Sequence, residues 1–199
     1  MSSKTFNMIK LFAKFFSKRF QLIRIYLFQN LSNYKIVEGS PQIKQPTLFV
    51  GSGKIIFKEK VQLGYYPSPM YFDTSIYIEA RSKASTIIFE KNVIINNNAK
   101  IICDKTSIYI GENTIIGYNV EVLDSDFHGL SVENRKNGNY ECKPVHIHKN
   151  VFIGNNVVIL KGVTIGENSV IGNSTVVTKD VPPNAILVGN PGKIIRYIN

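Results

Sequence analysis

Apolar positions along the chain follow two different periods. Over residues 5–31, Ile9, Phe12, Phe16, Phe20, Ile23 and Leu27 recur at intervals of three and four with no Gly or Pro among them, which predicts an amphipathic helix. Leu11, Phe15, Leu22, Ile25 and Phe28 broaden the apolar side, and Lys10, Lys14 and Lys18 lie four apart on another face. Gly39, Pro41 and Pro46 end this pattern and open a linker. From Ile147 the period is six. Ile147, Ile153, Ile159, Ile165, Ile171 and Val177 form one unbroken column. Val151, Val157, Val163, Ser169, Thr175 and Val181 form a second series of small or β-branched residues in the same period.

A helix does not repeat every six residues on one face, and a flat strand repeats every two. A short strand turned at each sixth residue does repeat that way, with its aliphatic residue inward and successive coils stacking those residues into ladders. Three such strands make one triangular coil. Gly154, Gly166 and Gly172 follow column residues, and Asn155, Asn156, Asn168 and Asn173 cluster near the presumed corners, where positive φ is expected. The same phase continues upstream through Ile110, Ile116 and Val122, through Phe89, Ile95 and Ile101, and through Phe57 and Leu63. It slips between Ile101 and Ile110 and again between Val122 and Ile147, which predicts an excursion from the coil at 123–146. Residues 65–74, with Pro67 and Pro69, predict a smaller one. The expected organisation is a basic helical segment at 1–38 and an all-β solenoid domain at 39–199, ending in a tail at 182–199.

Composition adds little to the fold and more to the helix. Hydrophobic content of 44% and charged content of 19% suit a globular chain of 199 residues. Cys103 and Cys142 form neither a metal-ligand spacing nor a disulfide framework, which points to a reducing, cytoplasmic compartment. No cleavable leader or transmembrane span is expected. The net charge of +10 is concentrated at the start: no acidic residue precedes Glu38, while Lys4, Lys10, Lys14, Lys18, Arg19, Arg24 and Lys35 do. With no aromatic or base-reading platform beside them, these cations do not read as a nucleic-acid site. A basic, Phe-rich helix either lies in an anionic membrane interface, giving residues 1–35 a peripheral membrane contact, or packs on its own solenoid or on neighbouring subunits with its lysines solvated.

The longer excursion opens with Asp124-Ser125-Asp126-Phe127-His128-Gly129. A loop His is ordinarily satisfied by backbone, and His146 and His148, flanking Ile147, alternate outward. An Asp–His cluster also suits a metal, but no second ligand set with tetrahedral spacing accompanies it, so no metal is expected.

The run VFIGNNVVILKGVTIGENSVIGNSTVVTKDVPPNAILVGNPGKIIR, from Val151 to Arg196, resembles the hexapeptide-repeat acetyltransferases. That group holds galactoside, maltose and serine O-acetyltransferases and O-acetyltransferases of surface polysaccharides. The likeness covers about residues 85–197 and is most specific at VVTKDVP (176–182) and GNPGKIIR (189–196), while DSDFH (124–128) is similar to the polysaccharide-modifying branch. It implies a left-handed parallel β-helix, a homotrimer, and acetyl-CoA bound in a cleft between adjacent subunits. Handedness comes from the resemblance alone, since the general rule for parallel crossovers is right-handed.

By the same resemblance His128 is the catalytic base, taking the proton of a sugar hydroxyl as its oxygen attacks the thioester. The backbone amide of Asn155 is the implied oxyanion donor. Asp126 or Asp124 orients the imidazole, or forms a loop turn, or contacts the acceptor sugar. The implied CoA contacts are Asn173 by its backbone, Thr178, Lys179, Lys193 and Arg196; the last two otherwise solubilise a tail. Phe152 stands where the family often has Trp, and Asn173 where it usually has Ala. Asn97 and Asp104 match acceptor-binding positions. The implied activity is acetyl-CoA-dependent O-acetylation of a sugar hydroxyl in a surface polysaccharide or its precursor. The alternatives are N-acetylation of a nucleotide-linked amino sugar, and a non-catalytic or metal-binding β-helix in which His128, His146 and His148 would be the ligands.

Overall fold

Each six-residue unit from Ile147 onward forms a strand of two or three residues and a corner, and successive units enter three different parallel sheets in turn. The computed structural model describes residues 3–198. Met1, Ser2 and Asn199, at the outer ends of the expected 1–38 and 182–199 segments, lie outside the described residues, as does the side chain of Lys4.

The first sheet stacks Val37–Glu38, Lys54–Phe57, Thr86–Phe89, Ser107–Ile110, Val145–Ile147 and Thr164–Ile165. The second stacks Gln42–Ile43, Gln62–Leu63, Ile94–Ile95, Ile115–Ile116, Phe152–Ile153, Val170–Ile171 and Ala185–Val188, with Lys193–Tyr197 added antiparallel at its end. The third stacks Thr47–Gly51, Ile76–Ala80, Lys100–Cys103, Glu121–Leu123, Val158–Ile159 and Val176–Val177. Ile147 pairs with Ile165, Ile153 with Ile171 and Ile159 with Val177, so one coil is three six-residue units. The nine-residue step from Ile101 to Ile110 is taken up at the corner between Cys103 and Ser107, and no strand lies between Leu123 and Val145.

Both six-residue series point inward. All six members of the aliphatic column are fully buried, and Val151, Val157 and Val163 are buried beside them. The two polar members of the second series hold the shortened last coil. Ser169 Oγ donates to the Pro182 carbonyl (2.8 Å) and accepts from the Ala185 amide, and Thr175 Oγ1 accepts from the Gly189 amide. Buried hydroxyls are tolerated there because each is hydrogen-bonded. At the opposite end Phe57 and Phe89 stack at 4.7 Å and widen the core.

The corners divide their labour differently from expectation. Positive φ falls to Asn92, Asn113, Asn150, Asn168 and Asn184 at one corner and Asn98, Asn119 and Asn156 at another. Each row is a ladder of side-chain amides, such as Asn113 Nδ2 to Asn150 Oδ1 (3.2 Å) and Asn150 Nδ2 to Asn168 Oδ1 (3.2 Å). The glycines after column residues serve close approach instead. A Cβ on Gly154 would lie 2.4 Å from Asn173 Oδ1 and 2.9 Å from the Asn173 amide.

Residues Ser3–Leu31 form one helix. The greater part of its apolar side does not pack on the chain's own solenoid. Gln21 is the residue it buries, with Ser17, Arg24, Ile25 and Phe28 half-buried, while Ile9, Phe12, Phe16, Phe20, Ile23 and Leu27 are exposed. Polar groups make the attachment. Gln21 Nε2 donates to the Tyr71 carbonyl (2.9 Å), and Arg24 donates to the carbonyls of Phe72 and Thr74 in the 65–74 excursion.

Ile159→Ala should lower the unfolding free energy by about 2–5 kcal/mol, because the stacked column cannot close over the lost volume. Asn150→Ala should cost about 1–2 kcal/mol for a non-Gly residue held at positive φ. Asn150→Gly should recover most of that loss, and denaturant midpoints compare the three.

Candidate active site

The 123–146 excursion is anchored by a buried carboxylate. Asp124 is fully buried, and its oxygens accept from the amides of Asp104 (2.7 Å), Lys105 (3.2 Å) and Thr106 (3.1 Å) and from Thr106 Oγ1 (2.8 Å). Cys103 Sγ also donates to it (3.4 Å). Burial, and then the neighbouring Asp124 charge, push the Cys103 thiol up to about 12, so it stays protonated and donates. The corner with three extra residues is thus wrapped around Asp124, which turns the chain and does not orient an imidazole.

The next residues form a braced stem. Ser125 bridges to Cys142, the Asp126 amide donates to the Glu141 carbonyl (3.2 Å), and Lys143 returns an amide to the Asp124 carbonyl (2.8 Å). Asp126 pairs with Lys161 (3.1 Å), which also meets Glu141 (3.2 Å). Phe127 takes positive φ, its amide donates to Ser125 Oγ (2.9 Å), and the Arg81 guanidinium lies 4.8 Å from its ring centroid. This twist sends His128 outward, where Nδ1 hydrogen-bonds the Arg135 carbonyl at 3.1 Å. A carbonyl only accepts, so Nδ1 carries a proton, and in the neutral imidazole Nε2 is the acceptor. His128 shares with Asp126, Leu130, Arg135 and Lys136 an open depression of about 500 Å³.

Other expected site residues lie elsewhere on the prism. Asn97 is buried and fully used: Oδ1 accepts from the Tyr65 amide (3.0 Å), and Nδ2 donates to the carbonyls of Tyr65 (3.0 Å) and Pro69 (2.8 Å). It fastens the 65–74 excursion, with both side-chain polar atoms already hydrogen-bonded. Asp104 is buried beneath the longer excursion, accepting from Cys142 Sγ (3.7 Å), and its hydrogen bond to Tyr140 raises that phenol's pKa. The Asn155 amide donates to Asn173 Oδ1 (2.8 Å), while Asn155 Oδ1 accepts from the Tyr118 amide (3.0 Å). The Asn173 side chain therefore caps the expected oxyanion donor.

Phe152 lies half-exposed on the outer face of the second sheet, directly beside Ile115. Thr178, Lys179, Lys193 and Arg196 are exposed, and among the described residues no ion pair engages these three cations. Free cations near backbone turns fit the phosphates of a ligand such as CoA. His146 stacks on Tyr109 (4.5 Å) and lies 4.4 Å from His148. Its pKa is lowered by burial and then by His148. Among the described residues no group of three or more His, Cys, Asp or Glu is arranged to hold a metal ion.

Known proteins share both repeat and architecture. The pattern of the bacterial transferase hexapeptide family (six repeats) matches residues 144–179. The galactoside O-acetyltransferase of Escherichia coli (strain K12) is 44% identical over 131 residues, covering 66% of this chain and 59% of that protein. Residues 144–179 thus carry the hexapeptide repeat of bacterial transferases, and the chain is similar to acetyltransferases built on that repeat. Among solved structures, a hexapeptide-repeat acetyltransferase from Vibrio cholerae O1 biovar eltor, complexed with acetyl coenzyme A, is similar at 25% identity. Its TM-score is 0.57, with 92% of this chain and 85% of that one covered. The polySia specific acetyltransferase NeuO is similar at 25% identity and a TM-score of 0.57, with 81% and 82% covered. The chain spans 53–59% of the length of the Escherichia coli relative and two other curated ones, and about a third of several more.

In this hexapeptide-repeat chain the expected site residues fall on separate edges. Asp104, Asp124, Asp126, His128, Thr178 and Lys179 belong to the corners between the third and first sheets. Asn97, Asn155 and Asn173 belong to the corners between the second and third, and Phe152, Lys193 and Arg196 to the second sheet itself. Two contributors were missing from the sequence reading. The Arg135 carbonyl orients His128, and a backbone carbonyl carries no residue-type signal. Lys161, which steadies Asp126, follows Leu160 at a corner, where residue type alone gives no sign of its partner.

Asp124→Ala should cost about 2–4 kcal/mol, because it strands several inward-facing donors. Asp126→Asn should cost about 1 kcal/mol or less, the scale of a partly solvated ion pair. Thermal or chemical unfolding of the two variants provides the comparison.

Proposed function

We propose that this protein is an acetyl-CoA-dependent O-acetyltransferase acting on a sugar hydroxyl of a surface polysaccharide or its precursor. The observation that carries the reading is the hydrogen bond between His128 Nδ1 and the Arg135 carbonyl (3.1 Å), which leaves Nε2 as a free base on an exposed loop. In this reading Nε2 takes the hydroxyl proton while the sugar oxygen attacks the thioester carbonyl carbon. The tetrahedral oxyanion is met by the Asn155 amide, the thioester oxygen taking the place of Asn173 Oδ1. Collapse breaks the C–S bond, and the imidazolium returns its proton to the departing CoA sulfur. Transfer is direct within a ternary complex, with no acetyl-enzyme. Thr178, Lys179, Lys193 and Arg196 hold the phosphate-bearing end, and Phe152 lies against the pantetheine arm. Asp126 acts through Lys161 to steady the stem, while Asp124 and Asn97 are structural.

The hand of the coil and the oligomer belong to the same proposal. We take the solenoid as a left-handed β-helix, in keeping with the family. His128 and Asn155 stand on different edges of one chain, so the site is completed by the neighbour in a homotrimer. The half-exposed pair Ile115 and Phe152 offers part of the apolar surface for that contact. The acceptor resides in the cytoplasm, and a carbohydrate is favoured over an amine by the likeness of the DSDFH stretch to the polysaccharide branch.

Light scattering of the full chain should give the mass of a trimer. Calorimetry should show about one acetyl-CoA site per subunit, and His128→Ala should leave that binding within a few-fold. The same variant should lower thiol release with a carbohydrate acceptor by about 100-fold or more. A rate within a few-fold of the parent would remove His128 as base. A product that survives hydroxylamine as an amide would transfer the reading to an amino-sugar acceptor.

A further inference from the structure

The N-terminal helix presents a mainly polar edge to its own protein, with Ile25 and Phe28 beside it. Ser17, Gln21, Arg24 and Phe28 follow one another every three or four residues along the edge that meets the solenoid, and Gln21 is only 3% exposed. The opposite arc, Ile9, Phe12, Phe16, Phe20, Ile23 and Leu27, is 49–65% exposed. Met8, Phe15 and Tyr26 enlarge it. An apolar surface of this extent marks a binding face.

Charge decides what covers it. Lys14, Lys18 and Leu22, spaced four apart, run along the flank between the attached edge and the apolar arc. There Lys14 and Lys18 meet Lys44 around a pocket of about 320 Å³ whose apolar lining includes Ile25, Ile43, Tyr66 and Phe72. Lys44 is held in place by Gln62 Oε1 (2.6 Å). No acidic residue precedes Glu38, and the whole chain carries +10. Packing this helix on the same helix of a second copy would therefore set lysine against lysine. The helix is not long and apolar enough to cross a membrane. A bilayer with anionic headgroups meets both demands, giving hydrocarbon to the arc and phosphates to the flank.

We propose that the N-terminal helix lies in the plane of an anionic membrane interface, apolar arc inward, with Lys14, Lys18 and Lys44 meeting lipid phosphates around the pocket. The solenoid then hangs on the aqueous side through Gln21 and Arg24. This assignment stands independently of acetyl transfer, because it uses none of the residues placed in that site.

The test is sedimentation of the full chain with vesicles of mixed phosphatidylglycerol and phosphatidylcholine, against phosphatidylcholine alone. Partition into the mixed vesicles should be about tenfold stronger or more, and should weaken as salt is added. Phe16→Asp combined with Phe20→Asp should abolish it, and Lys14→Glu combined with Lys18→Glu should lower it by about tenfold or more. These side chains are exposed, so unchanged circular dichroism should accompany each loss. Equal partition into both vesicles, or binding that survives Phe16→Asp/Phe20→Asp, would overturn the assignment. So would no vesicle binding together with a fall in oligomeric mass in that variant, which would give the face to a second copy.

Discussion

Everything in this structure depends on the stacking of one buried aliphatic residue per strand over the equivalent residue a coil away. The contact is repetitive and strictly local between neighbouring coils, so each coil is stabilised by the next, and both ends need protection. At the C-terminal end Ser169 and Thr175 interrupt the aliphatic series to bind the shortened last coil, and an antiparallel strand closes the second sheet. At the N-terminal end Tyr34 packs edge-on against Phe49, and Ser32 and Asn33 bond the first strand of the third sheet. Asparagine ladders then fix the corners. Their side-chain bonds run parallel to the backbone ladder and repeat with it, so a change of register would break both at once.

A scaffold of this kind tolerates extra residues only where the chain leaves the stack. The two excursions use the same device, a buried polar side chain that satisfies the loop's backbone from below. Asn97 and Gln45 do this for residues 65–74, and Asp124 does it for the corner beneath residues 125–144. The carboxylate suits its place because it faces donors on several sides and can accept from all of them. Its cost in desolvation is offset by those bonds, and the result is a rigid stem under an exposed histidine. Reactive side chains on loops need such support if they are to hold a geometry.

The parts legible in the sequence were those written in residue type and repeated. The column from Ile147 to Val177, the slip between Ile101 and Ile110 and the corner asparagines all carry a period, and a period survives ignorance of tertiary contacts. Gly154 was visible but its reason was not. It was expected at positive φ, whereas the neighbouring Asn156 takes that duty and the glycine makes room for Asn173. Single contacts were illegible for a related reason. Asp124 and Asp126, two residues apart in one motif, would share a face under strict alternation, but the chain leaves the third sheet after Leu123, and that separates a buried clamp from a half-buried ion pair. The helix showed the same gap. Its apolar arc was read correctly as amphipathic, yet which side meets the protein is set by Gln21 and Arg24 finding carbonyls in a loop about fifty residues away.

The excess of positive charge has two different contexts, and the difference gives it meaning. Lys14 and Lys18 border an exposed apolar arc, so an anionic partner that satisfies them must bring apolar surface along the whole helix. Lys179 borders a short turn, and Lys193 and Arg196 lie on the terminal antiparallel strand, whose exposed Ile194, Ile195 and Tyr197 form a patch far shorter than the helical arc. An anion there is held at points, through discrete charge pairs and backbone amides, which suits the compact phosphates of a small ligand. Burial of hydrocarbon is much less sensitive to salt than exposed charge pairs are. Added salt should therefore erode the second kind of contact almost completely while leaving the first a residual hydrophobic part. One net charge thus conceals two recognition problems, separated by the apolar surface that accompanies each.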